Sequence, residues 1–171
     1  AAPFNLDSAH TNVGFSVKHL MITNVKGDFK DYSAQIDFDK DTKTFNKLVA
    51  TVKTASIDTG IEKRDNHLRS ADFFLSKEYP NMTFTMHEYD KKAEEMKGDL
   101  TIRGVTKPVT LEVEDLATVK DFKGNTRVGF TLEGEINRTD FGLKWNKALE
   151  FGGIAVSEEV DIIVEVQAIE K

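Results

Sequence analysis

The chain contains no cysteine in 171 residues. That one absence removes disulfides, thiolate nucleophiles and cysteine-ligated zinc. There is no basic excess either, since 29 acidic residues stand against 23 basic ones for a formal charge of −6. A general nucleic-acid binder needs a basic surface to displace counterions from phosphates, so that class is excluded, and long-range attraction to acidic substrates or anionic membranes is unfavourable. No stretch approaches the ~18 consecutive apolar residues of a membrane-spanning helix. No repeat, charge block or low-complexity linker interrupts the text, and the length predicts one domain, residues 1–171.

Groups suited to chemistry at neutral pH are scarce. The four histidines, His10, His19, His67 and His87, show no H-x-x-x-H or H-E-x-x-H spacing, so two of them do not share a helical face and no metal site is expected. Ser8 with His10 supplies a nominal nucleophile and base, but no G-x-S-x-G elbow accompanies them. Asp65 could orient His67 as an acid–base pair; the plainer reading is a polar network in which Arg64 and Arg69 meet Asp65, Asp72 or another carboxylate. Gly98, Gly104, Gly124, Gly129 and Gly134 begin no helix after a strand, so they form turns or bends and no phosphate cradle. Cofactors are therefore not expected. The sequence begins Ala1-Ala2-Pro3, which is what cleavage behind a small-residue export signal leaves, and a periplasmic or secreted location is expected on that ground.

Against these absences stands an abundance of phenylalanine: 12, beside 3 tyrosines and 1 tryptophan. Phenylalanine brings bulk without a polar handle and suits a dry interior. Much of the chain alternates apolar and polar residues with the period of half-buried strands. Val13, Phe15 and Val17 form a first strand ending near His19. Ala34, Ile36 and Phe38 form a second, with Phe29 on the opposite parity unless a bulge separates it from Tyr32; Leu48, Ala50 and Val52 form a third. The segment 58–80 breaks the rhythm and predicts one or two short helices, capped by Thr59 and stopped by Pro80. Alternation resumes at Met82, Phe84 and Met86, then at Met96, Gly98, Leu100 and Ile102. Further strands carry Val109, Leu111 and Val113, then Val128, Phe130, Leu132 and Ile136, and finally Val160, Ile162, Val164 and Val166. About eight antiparallel strands with one apolar face must fold over as a sandwich or close into a barrel, and closure removes the free edges.

Eight strands make a barrel wide enough for one slender guest. The inward parity selects Phe15, Val17, Ile36, Phe38, Phe84, Met86, Leu100, Ile102, Phe130 and Leu132 as lumen lining. Small inward residues such as Ala34, Ala50, Gly98 and Gly134 leave volume for a guest, and methionines adapt to one. Polar discrimination falls to the mouth, with His19, Arg138, Asp140, Lys144, Trp145 and Asn146 as candidates. Phe73, Phe74, Phe141 and Phe151 are expected in lids, and Gly152-Gly153 in a loop over the mouth.

Specific motifs carry a family resemblance. Ser8-x-His10 with the strand Val13 to His19 and Gly27-Asp28-Phe29, the run Ser56-Ile57-Asp58-Thr59-Gly60, and Arg64-Asp65-x-His67-Leu68-Arg69-Ser70-x-Asp72-Phe73-Phe74 with Tyr79-Pro80 together resemble the bacterial YceI-like family. So do the stretch from Gly98 through Gly104-Val105-Thr106-Lys107-Pro108-Val109 and Asn137-Arg138-x-Asp140-Phe141-Gly142-Leu143. The resemblance implies an all-β fold, an extended eight-stranded antiparallel lipocalin-like β-barrel with a short helical insert at about 60–79. It also implies export, a long isoprenoid or other amphiphilic lipid bound in the lumen, and a possible homodimer; carriage of that lipid without catalysis is the function expected. An enzyme using Asp65 and His67 on a bound lipid, or a filled barrel acting through its surface under stress, are the alternatives.

Overall fold

The computed structural model describes residues 1–147 and 155–171. Leu149, Phe151 and the Gly152-Gly153 pair, expected near the mouth, lie outside the described residues. The described residues form strands β1 (Ala2–Leu6), β2 (Asn12–His19), β3 (Thr23–Phe29), β4 (Tyr32–Asp39), β5 (Thr44–Lys53), β6 (Ile57–Asp58), β7 (Asn81–Asp90), β8 (Glu95–Ile102), β9 (Val105–Lys120), β10 (Thr126–Asn137) and β11 (Val156–Glu170). Eight of them close a ring in the order β1-β4-β5-β7-β8-β9-β10-β11, with β1 returning to β11. The ring is antiparallel throughout, so a residue's parity fixes whether it points inward.

The long strand β11 has two successive neighbours on one edge. Its start pairs with β2, from Val160 opposite Val17 to Glu165 opposite Asn12, and its end pairs with β1, from Ala168 opposite Leu6 to Glu170 opposite Phe4. At the β2 end, β3 extends the wall and meets β6 at only two positions, Asp28–Asp58 and Phe29–Ile57.

Several local features depart from the sequence reading. Ala2–Leu6 is a strand that the alternation does not announce. Phe29 ends β3 and Tyr32 begins β4, so a turn, and no bulge, separates their parities. The expected insert is a single helix, α1 (Glu62–Arg69), followed by turns. Its N-cap is Ile61 with no side-chain cap bond. Thr59 instead donates its N–H (2.9 Å) and its hydroxyl (2.5 Å) to the buried Asp65 carboxylate. Pro80 lies well past the helix end; its carbonyl and that of Tyr79 accept from the buried Thr54 hydroxyl at 3.2 and 2.9 Å, which pins the insert to the end of β5.

The interior divides into two halves. One is packed around an aromatic chain: Phe4 meets Phe38 at 5.8 Å, Phe38 meets Phe45 at 4.9 Å, and Phe45 meets Phe130 at 4.8 Å and Tyr89 at 5.0 Å. Edge and tilted contacts of this kind add about 0.5–1.5 kcal/mol each beyond area burial. Ile36, Leu48, Met96, Leu111, Val113, Val128 and Leu132 complete that core. The other half is lined and capped but not filled.

Candidate functional site

Successive inward residues along one strand reveal where filling stops. On β11, Val160, Ile162 and Val164 are half-buried, whereas Val166 and Ala168 are buried; on β10, Val128, Phe130 and Leu132 are buried and Ile136 is half-buried. All share one parity, so the difference is height along the barrel. The accessible stretch faces a cavity of about 370 Å³. Its wall comes from Val13, Phe15 and Val17 of β2, Val25 and Phe29 of β3, Val52, Met82, Phe84, Leu100, Ile102, Ile136 and the β11 residues Val160, Ile162 and Val164. Leu68, Phe73, Phe74, Phe141, Leu143 and Trp145 cap it from the insert and the segment after β10. Phe84 belongs both to the packed cluster and to the wall and forms the divide. Its ring lies over Gly98, where an added Cβ would stand 2.7 Å from Phe84 Cζ and collide with the Thr85 carbonyl.

The ten residues expected to line the lumen therefore separate. Phe15, Val17, Phe84, Leu100 and Ile102 stand on the cavity wall. Ile36, Phe38, Met86, Phe130 and Leu132 do not; they belong to the packed half or pack against it. Parity is common to both sets, and the rings of Phe4, Phe38, Phe45 and Phe130 occupy the space that the second set would otherwise face. Val13, Met82, Ile136, Ile162 and Val164 carry the same inward signal and do reach the wall, a distinction that alternation cannot make because it does not encode height.

At the mouth, His19, Arg138 and Trp145 contribute to the wall, while Asp140 and Lys144 are exposed away from it. Asn146 is a brace: its Nδ2 donates to Val156 O at 2.7 Å and its Oδ1 accepts from Val156 N at 3.1 Å. Lys18 and His19 are exposed members of the wall, so the cavity reaches the surface at the end of β2.

Arginines staple the irregular segments around this half. Arg138 is only 4% exposed and donates to Ser157 O (2.9 Å), Leu143 O (2.6 Å), Trp145 O (2.9 Å) and Val156 O (3.2 Å). Burial lowers its pKa from the usual value, opposed by the charge of Glu158. Arg103 donates to Ala71 O and Phe73 O, both at 2.8 Å. Arg69 donates to Ala55 O, Ile57 O and Asn66 Oδ1, and Arg64 to Thr59 Oγ1 and O. The carboxylate partners expected for Arg64 and Arg69 are replaced by carbonyls and neutral oxygens, because turns leave carbonyls unpaired and a guanidinium fork satisfies several at once.

His67 is oriented by Asp72, with Nε2 to Oδ2 at 2.8 Å, and not by Asp65, which is engaged with Thr59. Its ring stands edge-on to Phe73 and Trp145 at 5.2 and 4.9 Å and lines the cavity. His10 and His87 likewise each meet one aspartate, Asp7 at 2.8 Å and Asp99 at 2.7 Å. The wall offers mainly shape and hydrocarbon contact to a guest, with a minority of polar members: Lys18 and His19 at the rim, Thr59, Arg64 and His67 from the insert and the segment before it, Thr83, and Arg138.

Comparison with known proteins places this geometry in context. A family model described as the YceI-like domain matches residues 4–168. A UPF0312 protein of Staphylococcus epidermidis is 42% identical over 158 residues, covering 92% of this chain and 91% of the relative. The crystal structure of a Campylobacter jejuni YceI protein matches with a TM-score of 0.80 and 45% identity, over 96% of each chain. A polyisoprenoid-binding domain from Saccharophagus degradans, implicated in plant cell wall breakdown, shares the fold at a TM-score of 0.70, with 16% identity over 100% of both chains.

Proposed function

Because the chain belongs to the YceI-like family and leaves one half of a closed barrel apolar and unfilled, we propose that it binds the tail of an amphiphilic lipid, an isoprenoid above all, in that cavity. The change from half-buried to buried inward residues between Val164 and Val166 of β11 carries the reading, since it separates a wall from a core along one strand. The polyisoprenoid-binding activity of the fold neighbour from Saccharophagus degradans supports the class of guest.

The volume sets the length of tail. An apolar cavity of ~150 Å³ takes benzene, so 370 Å³ accommodates roughly fifteen carbons, or about three isoprene units. At about 0.8 kcal/mol per buried CH₂ the gross gain is about 12 kcal/mol, and losses of translational and conformational freedom of several kcal/mol leave affinity near the micromolar range. A longer chain protrudes past His19, and selectivity among tails is loose because the wall has few polar contacts to offer. The protein carries the lipid through an aqueous compartment, periplasmic or extracellular, without a chemical step.

Fluorescence titration with a labelled short-chain polyisoprenol, competed by unlabelled isoprenols of increasing length, tests this. Competition should strengthen with each unit up to about three and then level off. A flat dependence from the first unit would remove the cavity from the account.

A further inference from the structure

The turn between β2 and β3 has an unusual composition. Ile22 N–H donates to His19 O at 3.2 Å, and both central residues, Leu20 and Met21, stand in the left-handed region with φ of 53° and 64°. This type I′ geometry is the preserve of Asn-Gly and similar pairs, because a bulky side chain is strained there. Here it holds Leu-Met followed by Ile22, and the three side chains are 42%, 57% and 84% exposed. Backbone strain and exposed hydrocarbon both oppose folding, so the arrangement points to a role outside the fold.

The tip adjoins the cavity mouth. His19, the residue before it, is an exposed part of the wall, and Leu20 N–H donates to the carbonyl of Ala155, another wall residue, at 2.8 Å. Ala155 N–H in turn donates to Lys147 O at 2.9 Å, which brings the exposed Lys147 close to the tip. Lys18 and Lys26, on the two strands leading to the tip, are also exposed. Among the described residues none of these three lysines forms an ion pair. Glu158 and Glu159 are the exposed acids at the start of β11.

We propose that Leu20, Met21 and Ile22 insert into the surface of a lipid bilayer, with Lys18, Lys26 and Lys147 against anionic headgroups, so that the cavity mouth opens onto the phase holding its guest. The proposal rests on the reading of the cavity as a lipid site. Three apolar side chains on a convex tip are far short of the ~1,000 Å² that a specific protein interface needs, but they suit insertion at an interface flanked by snorkelling lysines. The overall −6 disfavours long-range attraction, so the contact is local and short-ranged.

The test pairs Leu20→Asn with Met21→Gly, which supplies the preferred turn pair while removing two of the three apolar side chains of the tip. Flotation of the full chain with vesicles of phosphatidylcholine and phosphatidylglycerol should recover wild type, and the double variant should bind at least roughly tenfold less with no loss of thermal stability. Transfer of a labelled polyisoprenol from those vesicles should slow in step, while its equilibrium binding from solution stays unchanged. That last measurement separates the two readings, since its failure in wild type would indict the cavity and not the tip. Equal vesicle binding by both proteins, or none by wild type, would overturn the proposal. So would a wild-type dimer that the double variant makes monomeric with no vesicle binding in either, which would assign the tip to a second copy of the chain.

Discussion

Replacing Arg138 with methionine isolates what the stapling of the mouth contributes. The guanidinium holds four backbone carbonyls, those of residues 143, 145, 156 and 157. Val156 O keeps a partner in Asn146 Nδ2 after the change, so three carbonyls lose theirs. At about 1–3 kcal/mol for each acceptor left unpaired, one of them buried and two part-buried, the gross loss is about 3–9 kcal/mol. Against this, a buried guanidinium carries a desolvation penalty of several kcal/mol that methionine does not. The net expectation is a destabilisation of about 2–4 kcal/mol. Arg138→Lys retains the charge but gathers its donors on one nitrogen, which cannot span the same carbonyls, so it should fall within about 1 kcal/mol of the methionine variant. Urea unfolding at constant m-value measures both, and amide hydrogen exchange should rise at residues 142–147 in each. A methionine variant within about 0.5 kcal/mol of wild type, or full rescue by lysine, would refute the stapling argument.

Other consequences follow from the two halves and from local geometry. Leu100→Asp, on the wall, should leave a folded protein whose affinity for an apolar probe drops at least roughly tenfold, whereas Phe130→Asp should fail to fold, because it puts an unpaired carboxylate among rings; circular dichroism and probe titration separate the two. Gly98→Ala should cost about 1–3 kcal/mol in urea unfolding, since its Cβ meets the Thr85 carbonyl, which the strand holds fixed. Asp121 receives a hydrogen bond from Arg127 Nε at 2.8 Å, and this bond, with backbone N–H groups, holds its pKa down at about 2, below the ordinary 3.8. A carboxylate with a depressed folded pKa contributes stability above 3.8 that disappears as pH falls toward 2, so Asp121→Asn should flatten the decline of the urea midpoint across that window. An unchanged slope would remove Arg127 from the acid-stability account.

Parity makes most of the barrel legible in the sequence. Val13, Phe15 and Val17 of β2, Phe84 of β7 and Phe130 of β10 all point inward as alternation requires. Height along the axis is not legible there, because it depends on strand order and stagger, and the stack that fills one end draws on Phe4 and Phe45, which local alternation does not mark. Phe45 and Leu48 both face inward only because the β4–β5 register slips beside Phe38. The mouth is half legible. Position after the seventh predicted strand and in the loop that follows brings Arg138 and Trp145 forward, but Asp140 and Lys144 share that neighbourhood in sequence without sharing the wall. The pairing of His67 with Asp72 in place of Asp65 follows from the turn after α1, which bends Asp72 back toward the helix, a geometry that spacing alone does not reveal. Leu20 and Met21 are silent in the sequence because their left-handed backbone is visible only in three dimensions.

The central claim is that the unfilled half of the barrel holds an apolar tail. Native mass spectrometry of the protein, isolated without detergent and then extracted with organic solvent, tests it most directly. The account predicts a stoichiometric mass adduct that organic extraction releases as an isoprenoid or other amphiphilic lipid, and that Leu100→Asp lacks while Lys123→Gln, in the exposed turn between β9 and β10 and away from the wall, retains. Wild-type protein that shows no adduct and takes up none when incubated with polyisoprenol, or an adduct that persists at full occupancy in folded Leu100→Asp, would contradict it.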